Sequence, residues 1–255
     1  MADPVVLYEV KDQIAFITLN RPEKRNAVNS ELCVELAKAW KRFEQDPDAR
    51  VAILSGAGKG FSSGMDQNVA PETLDREAYY QATRANGITI FKPIIGAVHG
   101  FALGTGYSLA VKACDLTIAA EGTQFGYPES RVGNAGVIPY VPYMHFKRNL
   151  EFMLTAQWID AQKAYEWGMV NKVVPEAELM TEAIKWAEII KKNAPLTLRA
   201  IKYGQYRGVD EAARQLTKEA EWEFEHFIRP QWESEDRKEG ARAYFEKREP
   251  QFKGK

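Results

Sequence analysis

Apolar and polar positions along the chain recur at two different periods, and the switches between them mark out the elements. Val5 to Val10 and Ile14 to Leu19 alternate with a period of two across Lys11-Asp12-Gln13, which predicts a hairpin. From Asn29 or Ser30, either suited to cap a helix, the period lengthens and places Cys33, Leu36, Ala37, Trp40 and Phe43 on one face. Gln45-Asp46-Pro47-Asp48 ends that helix, and Val51 to Leu54 reads as a strand running into a loop of small residues, Ser55 to Asp66. Residues 67–92 are mixed, with a helix from about Tyr79 to Phe91. A buried strand, Pro93 to Val98, leads to the glycine-rich turn Gly100 to Gly106, a helical run Tyr107 to Ala113, a strand Asp115 to Ala120 and the turn Tyr127-Pro128-Glu129.

Beyond that turn the pattern becomes helical. The periodicity predicts helices over Asn149 to Thr155 and Asp160 to Gly168, a short strand over Met169 to Val174, and helices from Pro175 to about Asn193 and from Pro195 to Tyr206. Asp210 is placed to cap a further amphipathic helix carrying Leu216, Ala220, Phe224 and Phe227, interrupted at Arg229-Pro230. The charged tail Glu235 to Lys247 carries Ala241, Tyr244 and Phe245 as its apolar stripe. Strand, glycine-rich turn, helix and strand follow one another through residues 14–66 and again through 94–129, which points to a repeated β-β-α unit. The expected fold is α/β, with residues 1–195 as a mixed core and 196–255 as a helical C-terminal region.

Composition narrows the classes. The 255 residues suffice for one large domain, and 34 basic against 35 acidic residues leave a net charge of -1, so no global basic field points to nucleic acid. No run nears the roughly 20 apolar residues needed to span a bilayer, and MADPVVLYEV lacks the features of a secretory leader. The expectation is a cytoplasmic protein with neither nucleic-acid nor membrane partners. Cys33 and Cys114 stand far apart in apolar-periodic runs and read as buried free thiols, and three histidines without an HExxH pattern argue against a metal site.

The stretch from Ile95 to Gly136 carries the chemistry. Strand, glycine turn, helix, strand and acid make an arrangement for stabilising an anion, because the turn and helix N-terminus offer backbone N–H groups and the carboxylate of Glu129 can move a proton. His99, at the strand-to-turn junction, reads as a loop histidine rather than a catalyst.

Several segments together resemble the crotonase, or enoyl-CoA hydratase/isomerase, superfamily: Leu19-Asn20-Arg21-Pro22 with Asn26-Ala27, Gly60 to Asp66, Ala97 to Gly104, Phe125 to Glu129, and Asp236 to Gly240. The resemblance covers essentially the whole chain. It implies a spiral of β-β-α repeats with a C-terminal helical region for trimerisation and active-site cover, a homotrimer or hexamer, and an acyl-CoA thioester substrate. It implies no separate cofactor, since coenzyme A arrives as part of the substrate. By the same resemblance the amides of Ser63 and Thr105 form an oxyanion hole, Glu129 is the catalytic carboxyl group, and Lys24, Arg25, Ala27, Met65, Asp66, Phe245 and Lys247 contribute to CoA or substrate binding. Asp66 reads as a turn-fixing acid or as an element near the adenine pocket.

Two departures qualify the expected reaction. Thr105 stands where family members usually carry glycine. A first glutamate expected in the following helix is missing: counting from Gly104 its place is taken by Ser108, and because the interval to Cys114-Asp115 is one residue longer than usual, Tyr107 and Leu109 are the neighbouring alternatives, none of the three a carboxylate. With Glu129 alone the chemistry open to the site is hydration or dehydration, or double-bond isomerisation. With Ser108 assisting, it resembles the hydroxycinnamoyl-CoA hydratase-lyases, and Tyr127, Tyr140, Tyr143 and Phe146 are candidates to line a bulky acyl pocket. A catalytically silent CoA-binding trimer is a further alternative. A serine hydrolase through Ser108 lacks a G-x-S-x-G elbow and a histidine with a role.

Overall fold

In the computed structural model, residues 3–68, 74–84, 90–133, 145–217, 229 and 233–253 are described, side chains of 207–217 excepted. The hairpin forms as the alternation predicts: β1 (Val6–Lys11) pairs antiparallel with β2 (Ile14–Leu19). Its turn residues Asp12 and Gln13 both take positive φ, 49° and 65°, which matches the twist of a tight hairpin.

From β2 onward the main sheet is parallel. β3 (Val51–Gly56), β4 (Ile94–Val98), β6 (Leu116–Ala120) and β9 (Lys172–Val174) extend it in the order β1-β2-β3-β4-β6-β9. A smaller sheet holds β5 (Phe101–Leu103), β7 (Gln124–Gly126) and β8 (Ile159–Asp160), and single-residue bridges Val28–Met65 and Ser62–Ala102 continue its direction into the earlier turns. Each turn of the chain thus lays one strand on the large sheet and a shorter one on the second layer, the repeat expected from residues 14–66 and 94–129.

Parallel strands covered on both faces read as apolar runs, and here they divide two cores. Val51, Ile53, Ile95, Ala97 and Ile118 meet Leu179, Ala183 and Ala187 of α6 (Leu179–Lys191). Ala52, Leu54, Ile94 and Val98 face the larger core, shared with Leu32, Cys33, Leu36, Trp40 and Phe43 of α1 (Ser30–Gln45). Asn29 caps α1 by accepting from the Leu32 N–H. Ala37 is only half-buried, and Leu32 and Ala39 complete the face instead.

Other boundaries differ from expectation. α2 spans Arg76–Thr83 and ends at Arg84 in the left-handed conformation, short of Phe91. The strand near 170 contains only Lys172–Val174, although Met169 and Val170 are buried. α4 (Phe146–Thr155) and α5 (Ala161–Glu166) fall where predicted, α5 capped by Asp160. α7 runs unbroken over Pro195–Thr217, so Asp210 lies inside a helix and caps none. No proline interrupts residues 196–217, and the two glycines, Gly204 and Gly208, each cost a helix only about 1 kcal/mol. The apolar face predicted for Leu216, Ala220, Phe224 and Phe227 and the break at Pro230 lie outside the described residues.

The last helix, α8 (Glu235–Glu246), buries Gly240 and Ala243, while Ala241, Tyr244 and Phe245 are exposed on the single chain, contrary to the predicted stripe. Gly240 explains its motif: a Cβ there would stand 2.6 Å from the carbonyl carbon of Val132, so α8 packs backbone to backbone against the segment that follows Glu129. Among the described residues no helix is long and apolar enough to cross a membrane, and no group of histidine, cysteine or acidic side chains could hold a metal ion. Cys33 and Cys114 are free and buried.

Candidate active site

Two loops meet where β3 and β4 end. The first, residues 57–66, is knitted to residues 21–28 by Asn26, whose side-chain amide donates to the carbonyls of Ala57 and Gly60 at 2.8 and 3.0 Å and accepts from the Arg21 N–H at 2.9 Å. Ser62 donates its hydroxyl to the Asn26 carbonyl at 2.8 Å. Asp66 accepts from the Asn68 backbone N–H at 3.1 Å and pairs with Arg21 at 3.3 Å. Burial would raise its carboxyl, but the hydrogen bonds from Asn68 and Arg21 outweigh it and hold the group below its usual range. That geometry is the turn-fixing role read from the sequence.

This loop corrects one assignment. The Ser63 N–H donates to the Arg25 carbonyl at 3.0 Å, so it is already consumed and cannot serve a ligand. Two residues on, the chain crosses Val28: Val28 donates to the Gly64 carbonyl and Asp66 to the Val28 carbonyl, and between them the Met65 N–H has no acceptor among the described residues.

The second loop brings Thr105. Gly104 takes φ 51°, ψ -117°, a conformation that L-residues avoid, and this reversal starts α3 at Thr105–Tyr107. The Gly104 N–H donates to the Gly126 carbonyl, while the Thr105 N–H donates to no described group. A Cβ built on Gly64 would lie 3.6 Å from the Thr105 nitrogen, so the residue preceding Met65 abuts that amide.

α3 continues as a π-helical turn over Ser108–Lys112, closed by the Ala113 N–H donating to the Ser108 carbonyl at 3.0 Å. The wider turn absorbs the extra residue noticed between Gly104 and Cys114, and such bulges recur at functional sites. It leaves Ser108 at the end of the first helical turn, with its own N–H bonded to the Gly104 carbonyl and its side chain buried. Tyr107 is wholly buried, its ring against Tyr127 and Phe152 at centroid distances of 6.1 and 5.1 Å.

Glu129 stands on a single 3-10 turn, Pro128–Ser130, directly after β7. Its Oε2 is buried and has no hydrogen-bond partner among the described residues. Burial pushes the carboxyl up to about 8, opposed only by the residue's own backbone N–H. Oε1 lies against Gly104: a Cβ at 104 would be 2.7 Å from it. Thr105, with its free amide, is the next residue. The site therefore joins two unspent backbone donors on neighbouring loops to a carboxyl group that exchanges a proton near neutrality, the requirements for forming and protonating an enolate.

Of the residues predicted for binding, Ala27 is buried and its carbonyl accepts from Arg21. Lys24 and Arg25 are exposed on the first loop, Arg25 at φ 53°. Phe245 and Lys247 are exposed at the end of α8, and no hydrogen bond or ion pair among the described residues joins them to that loop. Tyr127 is buried, Phe146 is exposed on α4, and Tyr140 and Tyr143 lie outside the described residues. His99 contacts the Gly58 carbonyl at 2.9 Å, a loop role as expected. Sequence reasoning passed over Tyr79, whose hydroxyl lies 3.4 Å from Thr105 Oγ1. It sits in a helix with no glycine turn beside it, so no motif marks it.

The stacked β-β-α spiral, with two loop amides left unspent beside the Glu129 carboxyl, is matched by an enzyme family. Residues 9–255 match the family model described as enoyl-CoA hydratase/isomerase, and the chain belongs to that family, the crotonase superfamily. Among its relatives, (E)-benzylidenesuccinyl-CoA hydratase of Thauera aromatica is 35% identical over 98% of this chain and 99% of the relative. Carnitinyl-CoA dehydratase of Escherichia coli K12 is 36% identical over 94% of each chain. The crystal structure of carnitinyl-CoA hydratase from Mycobacterium avium superposes with a TM-score of 0.86, at 32% identity and full coverage of both chains.

Proposed function

We propose that the protein hydrates an enoyl-CoA, or dehydrates the corresponding 3-hydroxyacyl-CoA, with Glu129 as the single group that moves protons. The observation that carries this reading is the Glu129 carboxyl itself: buried, orphaned at Oε2, raised to about 8, and set against the turn that presents Thr105. The thioester oxygen is held by the N–H groups of Met65 and Thr105, the donors left unspent by the fold, each able to lower the barrier by about 3–4 kcal/mol. In the hydration direction water adds its oxygen to the β-carbon, and its proton passes to Glu129. The enolate formed on the thioester then collapses as Glu129 delivers a proton to the α-carbon. The carboxyl ends as it began, and one water has been added. Ser108, buried one turn along the same helix, can orient the water by hydrogen bonding but cannot act as base at neutral pH. The relatives that act as a hydratase and a dehydratase support this direction of chemistry.

Isomerisation is the second reading, and one observation favours it: among the described residues no other carboxylate contributes to the shift of Glu129, which leaves one acid to lift a proton from one carbon and return it to another. Residues Lys24 and Arg25 are proposed to meet the CoA phosphates, with Phe245 and Lys247 reaching the nucleotide across a homotrimer or hexamer interface. The test is incubation with crotonyl-, 3-enoyl-, cinnamoyl- and alicyclic enoyl-CoA thioesters followed by mass spectrometry. A gain of one water supports hydration, and an unchanged mass with altered retention supports isomerisation. A shortened acyl chain points to the lyase alternative, and CoA binding without turnover to a silent scaffold. Ser108→Ala should lower the hydration kcat substantially while an isomerase would barely respond.

A further inference from the structure

The hydroxyls of Tyr79 on α2 and Thr105 on α3 face each other at 3.4 Å, joining the helix above the site to the residue whose amide is free. Tyr79 packs its ring on the main core beside the site, and Thr105 is 5% exposed. The phenol is pushed up by burial, opposed by the Thr105 hydrogen bond, and the negative charge of Glu129 adds to the rise, so the pair lies within electrostatic reach of the carboxyl.

Counting protons shows what the pair lacks. Each hydroxyl has one hydrogen to donate, and the contact between them spends one of the two. The other has no acceptor among the described residues, since neither hydroxyl bonds to any further group. Thr105 is buried and Tyr79 half-buried, so the leftover hydrogen lies at the edge of water, and a bound acyl chain that displaces that water without offering an acceptor leaves its desolvation uncompensated. An acyl chain ending in hydrocarbon leaves it unpaired, whereas a chain with an oxygen at that wall satisfies it. Sites built to hydrogen-bond a substrate group reject analogues lacking it more strongly than apolar pockets reject a change of size.

We infer that the Tyr79–Thr105 pair is a specificity element that selects acyl groups carrying an oxygen acceptor beyond the thioester carbonyl, a hydroxyl or carbonyl on the chain. The inference rests on the acyl-CoA reading of the site. It is tested by kcat/KM on two matched pairs, crotonyl-CoA with 4-hydroxycrotonyl-CoA and 2-hexenoyl-CoA with 6-hydroxy-2-hexenoyl-CoA. The wild type should prefer the oxygenated member of at least one pair by about tenfold or more. Tyr79→Phe, which keeps the ring, and Thr105→Val, which keeps the shape, should each bring that ratio near one, and Thr105→Ser should retain it. A ratio unchanged in Tyr79→Phe overturns the inference, as does a wild type with no preference in either pair. An equal loss on both members also overturns it, assigning the hydroxyl to the reacting atoms. If the wild type changes the mass or retention of none of the thioesters, the acyl-CoA reading itself fails and this inference falls with it.

Discussion

The Glu129 carboxyl and Gly104 are in contact through space that any side chain at 104 would fill: a Cβ there meets Oε1 at 2.7 Å. Gly104 also holds φ 51°, ψ -117°. Gly104→Ala should therefore act twice, straining the turn by about 1–3 kcal/mol and displacing the carboxyl. Because the obstructing atom is the end of a side chain, the fold should survive. The expected outcome is a lowered denaturation midpoint together with a kcat reduced about 100-fold, since misplacement by an ångström has that scale of effect. Steady-state turnover within about threefold of wild type would show that the contact is incidental.

Glu129→Gln removes the proton carrier at nearly constant shape. Turnover should fall by about 10²- to 10⁴-fold while CoA thioester binding, read by calorimetry, persists.

The same carboxyl shapes the pH dependence of stability. Its ordinary value is 4.5 and burial raises it to about 8, so between these limits the folded state binds more protons than the unfolded state. Stability is full below about 4.5 and is lost as pH rises through about 8, by an amount on the order of a few kcal/mol. Urea midpoints of wild type and Glu129→Gln should diverge with rising pH, the wild type losing more. Parallel curves from pH 5 to 9 would contradict the shift.

Asp115 holds together parts of the chain far apart in sequence. Its carboxylate accepts from the Ile94 N–H at 2.7 Å, Lys202 Nζ at 2.6 Å and the Tyr206 hydroxyl at 2.8 Å, with Arg84 Nη1 at 3.5 Å. Lys202 and Arg84 are buried, and stripping their partner leaves cations in a low-dielectric interior. Asp115→Asn should cost about 3–5 kcal/mol in chemical denaturation, and adding Lys202→Met should restore part of that loss. Additive losses in the double variant would deny the coupling.

The π-helical turn supplies a prediction about length. Ala113 donates to Ser108, five residues back, and deleting Lys112 turns the same two partners into an ordinary helical pair. The Lys112 side chain has no hydrogen bond or ion pair among the described residues, and burial draws its ammonium down to about 8. The deletion variant should fold with an unchanged or raised Tm. Deletion of Ala37 from regular α1 should instead rotate its apolar face out of the core and abolish cooperative melting.

The spiral was legible in the sequence because both of its periodicities are local: alternation through Val5 to Leu19, helical spacing through α1, and the strand, glycine and helix succession around residues 94–129. The place of Glu129 was equally plain, its Tyr-Pro-Glu turn following a strand. What could not be read locally was which amides the fold spends. Ser63 and Met65 sit in the same loop, and only the crossing of residues 25–28 decides that the first is bonded and the second is not. The capping role given to Asp210 failed for a related reason: an aspartate favours a helix start, but only a break in the chain would make one there. Tyr79 was invisible because its meaning depends on Thr105, 26 residues away.

The second sheet of the spiral is barely a sheet at its early end, where Val28–Met65 and Ser62–Ala102 are bridges one residue long. A ladder extended through those points would pair its amides along its own length and add stability. Stopping it short forgoes that gain and leaves the amides of residues 65 and 105 without acceptors among the described residues. The capacity to hold a negative charge that we propose for this chain is in that sense an unfinished strand pairing, and completing it would spend the amides that the proposed site needs.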